Sequence, residues 1–325
     1  MAARKRRLMT LLAAGSLAFS LAACGTNSTE NTTETDKNDN TAAGDETLTE
    51  ESVRVLAPQG APALAVLGAY KSGAQVDTVE GTDVLTAELA KEDSDYDIIV
   101  APVNLGAKIY AQKPVFNLDA VLTWGNLYVV GPDDTDPQQI TSKSMAAFGE
   151  NAVPGLVFNQ VMPEAAAGAV WYPSVAESQQ ALLSGKEELA LLAQPAAAAT
   201  IAKAKDNGQN LAVLADLQKE WQETQQSDEK GYPQAGLFVK SQDNTEGVQE
   251  VIDQIKDTIE NGTDDERKAL IAKAGTENLG IPNEEIALKT WDAQNIRWKS
   301  GQDAKEDLQK FLSVFTVELP EGLIR

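Results

Sequence analysis

Catalysis draws on groups that move protons or attack as nucleophiles, and this chain of 325 residues has no histidine and a single cysteine, Cys24. Without histidine, Ser-His-Asp and Cys-His relays are excluded, together with histidine metal sites and the commonest general base. Carboxylates are abundant, at 49, but none falls in an apolar stretch that would raise its pKa toward a catalytic range. No catalytic residue, metal site or cofactor is expected. The remaining polar chemistry of note is that of side-chain amides. Gln59, Asn104, Asn151 and Gln194 each stand in a turn between an apolar run and a helix-like run, and an amide both donates and accepts hydrogen bonds.

Cys24 has its own setting. A basic cluster, Arg4-Lys5-Arg6-Arg7, precedes an apolar run from Leu8 to Leu21 that is too short for a permanent membrane span. The following Leu21-Ala22-Ala23-Cys24 resembles the lipobox of bacterial lipoproteins. That resemblance implies a diacylglyceryl group on the thiol and cleavage of residues 1–23, leaving Cys24 at the new N-terminus. Two acyl chains give stable attachment where one would be marginal. With Cys24 consumed by lipid, no disulfide is possible. Residues 25–51 hold one large aliphatic residue, Leu48, and eight acids against one lysine. Such a segment buries too little apolar surface to offset its ordering entropy and reads as a disordered tether. Its 27 residues reach roughly 30 Å on average as a flexible coil.

Four basic residues and no acid precede Cys24, so the chain from Cys24 onward carries 23 basic and 49 acidic residues, a net charge of −26. Residues 52–325 alone carry 22 and 41, a net charge of −19. A surface this acidic argues against nucleic-acid binding and against docking on anionic lipid through a basic patch. After Ser52 no apolar stretch is long enough to span a bilayer. About 270 residues exceed most single cores and suit two lobes.

Strand-like and helix-like runs alternate from Val53. The strand-like runs are "VRVLA" (53–57), "AQVDTVEG" (74–81), "YDIIVAP" (96–102), then "FNLDAVLTW" and "NLYVVG" on either side of Gly125. Helix-like segments at 62–73, 83–93 and 104–112 lie between them. After the turn-rich "PDDTDPQQ" the alternation restarts with "SMAAF", "AVWYP", "ELALLA" and "LAVLA", separated by helices. A polar connector holding Trp221 leads to "AGLFVK" (235–240), and the rest reads as helical. Val248, Val251, Ile252, Ile255 and Ile259 form one apolar stripe, and Leu308, Phe311, Leu312 and Phe315 a second. Alternation with apolar, β-branched strands predicts an α/β fold of two lobes, each a mostly parallel sheet flanked by helices. The first lobe is assigned to 52–130 plus 238–325 and the second to 131–237, with a two-strand hinge near Val129-Val130 and Phe238-Val239.

The segments "VRVLAPQGAPALAVL", "YDIIVAPVNLGAKIY", "SMAAFGENAVPGLVF", "SVAESQQALLSGKEELALLAQPAAAATIAKA", "GLFVKS" and "NIRWKSGQDAKEDLQKFLSVF" together resemble the solute-binding lipoproteins of ABC importers. The fold implied is the type II periplasmic-binding-protein fold, in the nitrate/sulfonate/taurine family that also takes in binders of thiamine-pyrimidine-like compounds. The resemblance covers nearly all of the chain after residue 52. Where family members often have an acid before a proline, this chain has Gln194-Pro195.

In open α/β sheets ligands bind beyond the carboxyl ends of the strands, where helix N-termini offer free N–H groups. With the implied fold, one cleft gathers Gln59-Gly60-Ala61, Asn104, Trp124-Gly125, Gly149 with Asn151-Ala152, and Gln194. Trp124 is a candidate apolar wall; Trp171 and Tyr172 rank below it. None of Arg54, Arg267, Arg297 and Arg325 lies in these turns. A charged carboxylate or phosphate usually attracts arginine. The turns therefore suit a neutral or aromatic solute, or a small anion held by backbone N–H groups and amides. The resemblance implies capture between the lobes without chemistry. It also implies delivery to a membrane permease with its ATPase by a monomer anchored on the outer face of the cell membrane. The long tether points to a single-membrane, Gram-positive host. The alternative is a ligand-sensing or adhesive surface lipoprotein with no transporter.

Cys24→Ser is expected to move the protein from the membrane pellet to the soluble fraction and to abolish incorporation of labelled fatty acid. Fractionation of expressing cells checks both, and equal labelling of the variant would remove the lipid anchor from consideration.

Overall fold

The computed structural model describes residues 52–241 and 245–325; Cys24, the signal segment and the tether lie outside the described residues. Among the described residues, eleven strands form two sheets. The first contains β1 (Arg54–Pro58), β2 (Gln75–Val79), β3 (Ile98–Pro102), β4 (Phe116–Thr123), β10 (Ala235–Lys240) and β11 (Ile296–Ser300), in the order β11-β4-β10-β3-β1-β2. The second contains β5 (Leu127–Pro132), β6 (Met145–Phe148), β7 (Val170–Tyr172), β8 (Leu189–Ala193) and β9 (Leu211–Asp216), in the order β7-β6-β8-β5-β9.

The two-sheet α/β arrangement follows the alternation in the sequence, but the strand directions are more mixed than expected. β1 runs parallel to β2 and β3, and β6 parallel to β7 and β8. The other pairs are antiparallel. The antiparallel strands are the ones next to a passage between sheets. β4 in the first sheet and β5 in the second are joined by three residues, Trp124–Asn126.

The passages between the two sheets do not fall at the crossing points expected from the sequence. Val129-Val130 lie in the middle of β5 in the second sheet, and Phe238-Val239 in the middle of β10 in the first. The chain changes sheets at Trp124–Asn126 and returns between Asp216 and Ala235. β5 therefore belongs with the second sheet, and its apolar run continues that sheet's core.

Period-two alternation places each strand's side chains on opposite faces. Ile98 and Val100 of β3 pack with Val55, Leu237 and the helix Glu246–Glu260, while Ile99 and Ala101 face the opposite layer. In the second sheet Leu127, Val129, Leu189 and Leu191 join that same layer. Tyr128, Val130, Ala190 and Leu192 face outward toward the helices Val175–Leu183 and Ala196–Asp206. One apolar layer thus runs from a face of the first sheet to a face of the second, through Trp124, Leu217, Trp221 and Tyr232.

The helix Glu246–Glu260 begins at Thr245, whose hydroxyl accepts from the Val248 N–H at 3.3 Å, and buries Val248, Val251, Ile252, Ile255 and Ile259. Each such side chain contributes about 1.5–3 kcal/mol on burial. Two elements escape the sequence pattern. The connector around Trp221 is a helix, Leu217–Gln225, and "IRWKS" is the edge strand β11 in a stretch read as helical.

Phe238 is fully buried at the centre of the first sheet, its ring filling the space beside Gly106. Phe238→Ala is expected to cost about 3–5 kcal/mol, read as a lower urea midpoint with little change in slope. A loss below 1 kcal/mol would mean that this part of β10 is not core.

Candidate functional site

Strand directions decide where the predicted turns lie. β1, β2 and β3 end at Pro58, Val79 and Pro102, and β10 begins opposite the end of β3, with Ala235 beside Pro102 and also beside Thr123 at the end of β4. One edge of the first sheet therefore carries residues 58–61, 102–104, 123–126 and 234. In the second sheet β6, β7 and β8 end at Phe148, Tyr172 and Ala193, and Leu127 at the start of β5 pairs with Ala193. That edge carries 149–152, 193–196 and 126–127. The three-residue link Trp124–Asn126 joins these two edges directly.

The junction is held by main-chain bonds. The Trp124 N–H donates to the Asn295 carbonyl at 3.0 Å, and the Trp124 carbonyl accepts from the Tyr232 N–H at 3.2 Å and from Asn295 Nδ2 at 2.5 Å. The Gln234 N–H donates to the Thr123 carbonyl at 2.9 Å, and the Val103 N–H donates to the Gln234 carbonyl at 3.1 Å. Across to the second sheet, the Gln194 N–H donates to the Asn126 carbonyl at 2.9 Å, and Asn126 Nδ2 returns a bond to the Gln194 carbonyl at 3.0 Å. Glycine is required at two points. Gly125 has φ 85° with the Tyr232 ring where a Cβ would stand, and Gly231 has φ 93° with the Trp124 carbonyl there.

The predicted residues divide accordingly. Asn104, Trp124, Gly125 and Gln194 come together at the junction. Gln59 and Gly60 stand on the same edge of the first sheet but are tied to the loop at 275–281. The Gly60 N–H donates to the Leu279 carbonyl, and the Gln59 side chain packs over Gly280. Ala61 is buried in the core. Gly149 turns the chain ahead of the helix Val153–Val161, its carbonyl accepting from Ala152 and Gly155, and leaves Asn151 and Ala152 exposed.

Two side chains have other duties than those expected. Trp124 is 1% exposed, with the Arg297 guanidinium 4.5 Å and the Lys299 ammonium 5.3 Å from its ring centre. Its ring is occupied by cations and does not form an open stacking wall. Gln194 spends its Oε1 on the Ala198 N–H at 3.2 Å, capping the helix Ala196–Asp206. The lower-ranked aromatics are also engaged. Trp171 meets Phe158 edge-on, and the Tyr172 hydroxyl donates to Glu187.

Residues that sequence reading did not single out complete the junction. Gln218 is fully buried; its Oε1 accepts from the Leu127 N–H at 2.8 Å, and its Nε2 donates to the Leu127 carbonyl at 3.1 Å and to Asp216 at 2.9 Å. Its amide thus pairs with the Leu127 main chain as a neighbouring strand would. Asp216 caps the helix Leu217–Gln225 by accepting from the Gln218 and Lys219 N–H groups, and pairs with Lys230 at 2.6 Å. An acid directly before a run with Leu217 and Trp221 four apart was the available signal for this helix. Asn126, Thr123 and Gln234 carried no local signal.

Charges beside the return passage are mutually paired. Glu229 meets Arg297 at 3.4 Å and Lys299 at 3.3 Å, Lys299 meets Asp307 at 2.9 Å, and Arg297 donates to the Lys230 carbonyl at 2.8 Å. Glu229, Lys299 and Asp307 wall a cavity of about 250 Å³ with Asp228, Gln302, Asp303, Glu306 and Lys310. Its Lys299 is already shared between Glu229 and Asp307, and the cavity lies outside the junction itself. Burial lowers the Arg297 pKa against the pull of Glu229 and Asp307. Burial also pulls Lys299 down, but Asp307 and Glu229 outweigh it and leave the pKa raised. The Lys299 contribution is therefore complete below the pKa of a free lysine and is lost as pH rises through the raised value. Burial pushes the Tyr232 hydroxyl far up, so it stays protonated.

No sequence-family profile matches the chain, and no curated protein matches it. Solved structures do. An ABC transporter protein from Parabacteroides distasonis superposes with a TM-score of 0.66 at 18% identity, covering 84% of this chain and 98% of that one. A ligand-binding component of an ABC-type import system from Staphylococcus aureus, solved with zinc bound, gives 0.59 at 8% identity over 83% and 94%. A periplasmic aliphatic sulphonate-binding protein from Escherichia coli gives 0.56 at 13% over 82% and 87%. At these identities the likeness establishes a shared fold: two mixed sheets flanked by helices, in the arrangement of periplasmic binding proteins.

Gln218→Leu keeps the bulk but leaves the Leu127 N–H and carbonyl without partners. A cost of about 1–3 kcal/mol for each is expected, measured by chemical denaturation. An unchanged midpoint would show that water replaces the amide and that the bracket is dispensable.

Proposed function

We propose that this protein is the solute-binding component of an ABC importer, capturing a small molecule where the two sheets face one another and delivering it to a permease driven by an ATPase. The observation that carries this reading is the placement of both sheets' carboxyl edges at one junction, linked by only three residues on one side. A small molecule held there touches main-chain ends from both lobes at once, so binding and the relative position of the lobes become coupled. The fold match supports the same reading, because proteins described as ABC import components share this arrangement over nearly their full length. Fold alone does not name a ligand.

In this reading residues 52–123 and 235–325 make one lobe and residues 127–216 the other, with the links between them forming the hinge. Asn104, Asn126, Thr123 and Gln234 line the solute site, while Gln59, Gly60, Asn151 and Ala152 stand at its margins. Cys24 carries the lipid that holds the protein on the outer face of the cell membrane, and residues 24–51 are the tether. The protein acts as a monomer, binds without chemistry, and presents its solute-closed form to the permease. The acidic surface keeps it off nucleic acid and off anionic headgroups.

Native mass spectrometry of the full chain purified gently from its host is expected to show one small-molecule adduct per chain. Resupplying that solute at 100 times its Kd stabilises by about 2.7 kcal/mol, a rise in Tm of roughly 5–11 °C for a protein of this size. Absence of an adduct, with no stabilisation by any fraction of spent growth medium, would overturn the solute-binding role.

A further inference from the structure

We infer that the solute is uncharged and presents N–H or O–H donors to the junction, as amides, lactams and amino-substituted heterocycles do; this rests on the solute-binding reading above. Among the described residues, twelve buried side-chain N or O atoms have no hydrogen-bond partner, and six of them belong to Asn104, Thr123, Trp124, Asn126, Tyr232 and Gln234. Such atoms are rare in folded proteins because each costs free energy to bury. Their concentration in three short segments joined by main-chain bonds is therefore informative.

Their chemistry is selective. Asn126 is 3% exposed, and its Nδ2 is committed to the Gln194 carbonyl. That bond fixes the amide, so its unpaired Oδ1 accepts only. Asn104 Oδ1 and Gln234 Oε1 are also buried and unpaired, and Thr123 Oγ1 is a fully buried hydroxyl with no partner. The Thr123 hydroxyl can donate as well as accept; the other two unpaired donors of the same segments are on rings packed elsewhere. Trp124 lies under Arg297 and Lys299, and Tyr232 stacks on Phe311 at 5.7 Å. An oxyanion placed against Asn126 would meet an oxygen held in place as an acceptor, and one placed against Asn104 or Gln234 would face their unpaired oxygens. The nearby cations do not help it, because Arg297, Lys299 and Lys230 are held by Glu229, Asp307 and Asp216. A cation would find Asp216 engaged, since it already serves Lys230, Gln218 and Lys219. A neutral donor-bearing solute satisfies the oxygens and leaves no charge buried unpaired.

Thermal shift and calorimetry on the full chain in detergent test this with three sets of probes at millimolar concentration. The neutral set is nicotinamide, cytosine, 4-aminopyrimidine and 2-pyrrolidone; the anions are nitrate, ethanesulfonate and phosphate; the cations are guanidinium and choline. Stabilisation confined to members of the neutral set is expected. For the best of them, Thr123→Val is expected to weaken binding about tenfold, the scale of one hydrogen bond, while the Tm without solute stays the same or rises. Stabilisation led by an anion or a cation would overturn the chemical class and leave solute binding standing. No stabilisation by any set, with no adduct on the purified protein, would remove both. A Thr123→Val variant that loses Tm but keeps its affinity would also overturn the assignment, since the hydroxyl would then be structural.

Discussion

The whole architecture turns on the peptide at Trp124. Its N–H is bonded to Asn295 beside the first sheet, and its carbonyl to Asn295 and to Tyr232 of the returning segment. The outgoing link and the returning segment are therefore pinned to each other at the place where the chain leaves the first sheet. Gly125 can then turn with φ 85° because nothing but hydrogen lies between its Cα and the Tyr232 ring. Leu127 enters the second sheet with its N–H and carbonyl already paired to Gln218. From that start β5 can pair with β8 on one side and β9 on the other. Losing the Trp124 bonds would free both passages together.

Electrostatics reinforce the same place. In a chain with 22 basic residues against 41 acids over residues 52–325, cations are scarce, yet Lys230, Arg297 and Lys299 all border the return passage. Each pair is partly exposed and alone is worth about 0–1 kcal/mol. They share partners, however, so ordering Glu229 once serves two cations. The Arg297 and Lys299 contacts with the Trp124 ring add attraction that water does not fully screen. A buried aromatic and a shared ion-pair lattice thus fix the outside of the junction, and the amides are left facing inward duties.

How much of this could be read from the sequence depends on whether a feature is local. The strands of β1, β3, β5, β8 and β10 are short apolar runs with flanking turn residues, and their periodicity was enough. The stripe Val248 to Ile259 was likewise legible as a helix face. The hinge was not. Val129-Val130 and Phe238-Val239 look like crossings because both are apolar strands near the middle of the alternation, but assignment to a sheet depends on pairing partners many residues away. β11 escaped because a five-residue edge strand with Arg297 and Lys299 in it has almost no apolar run. At the site, Asn104 and Gln194 were visible as amides in turns. Asn126, Thr123 and Gln234 were not, because their role arises from hydrogen bonds such as Gln234 to Thr123 across more than a hundred residues.

The amides also explain why a rigid junction suits recognition. Asn126 is oriented by its bond to Gln194, and Asn104 follows the residue whose N–H is bonded to Gln234, so their positions are set by the sheets before any solute arrives. Burying Asn104 Oδ1, Thr123 Oγ1, Asn126 Oδ1 and Gln234 Oε1 without partners costs stability on folding. In the proposed role a solute that supplies donors recovers that cost on binding, and little conformational entropy remains to be lost because the groups are already placed. An analogue lacking the donors recovers none of it. Discrimination between close relatives would then come from the unpaired oxygens more than from the size of the site.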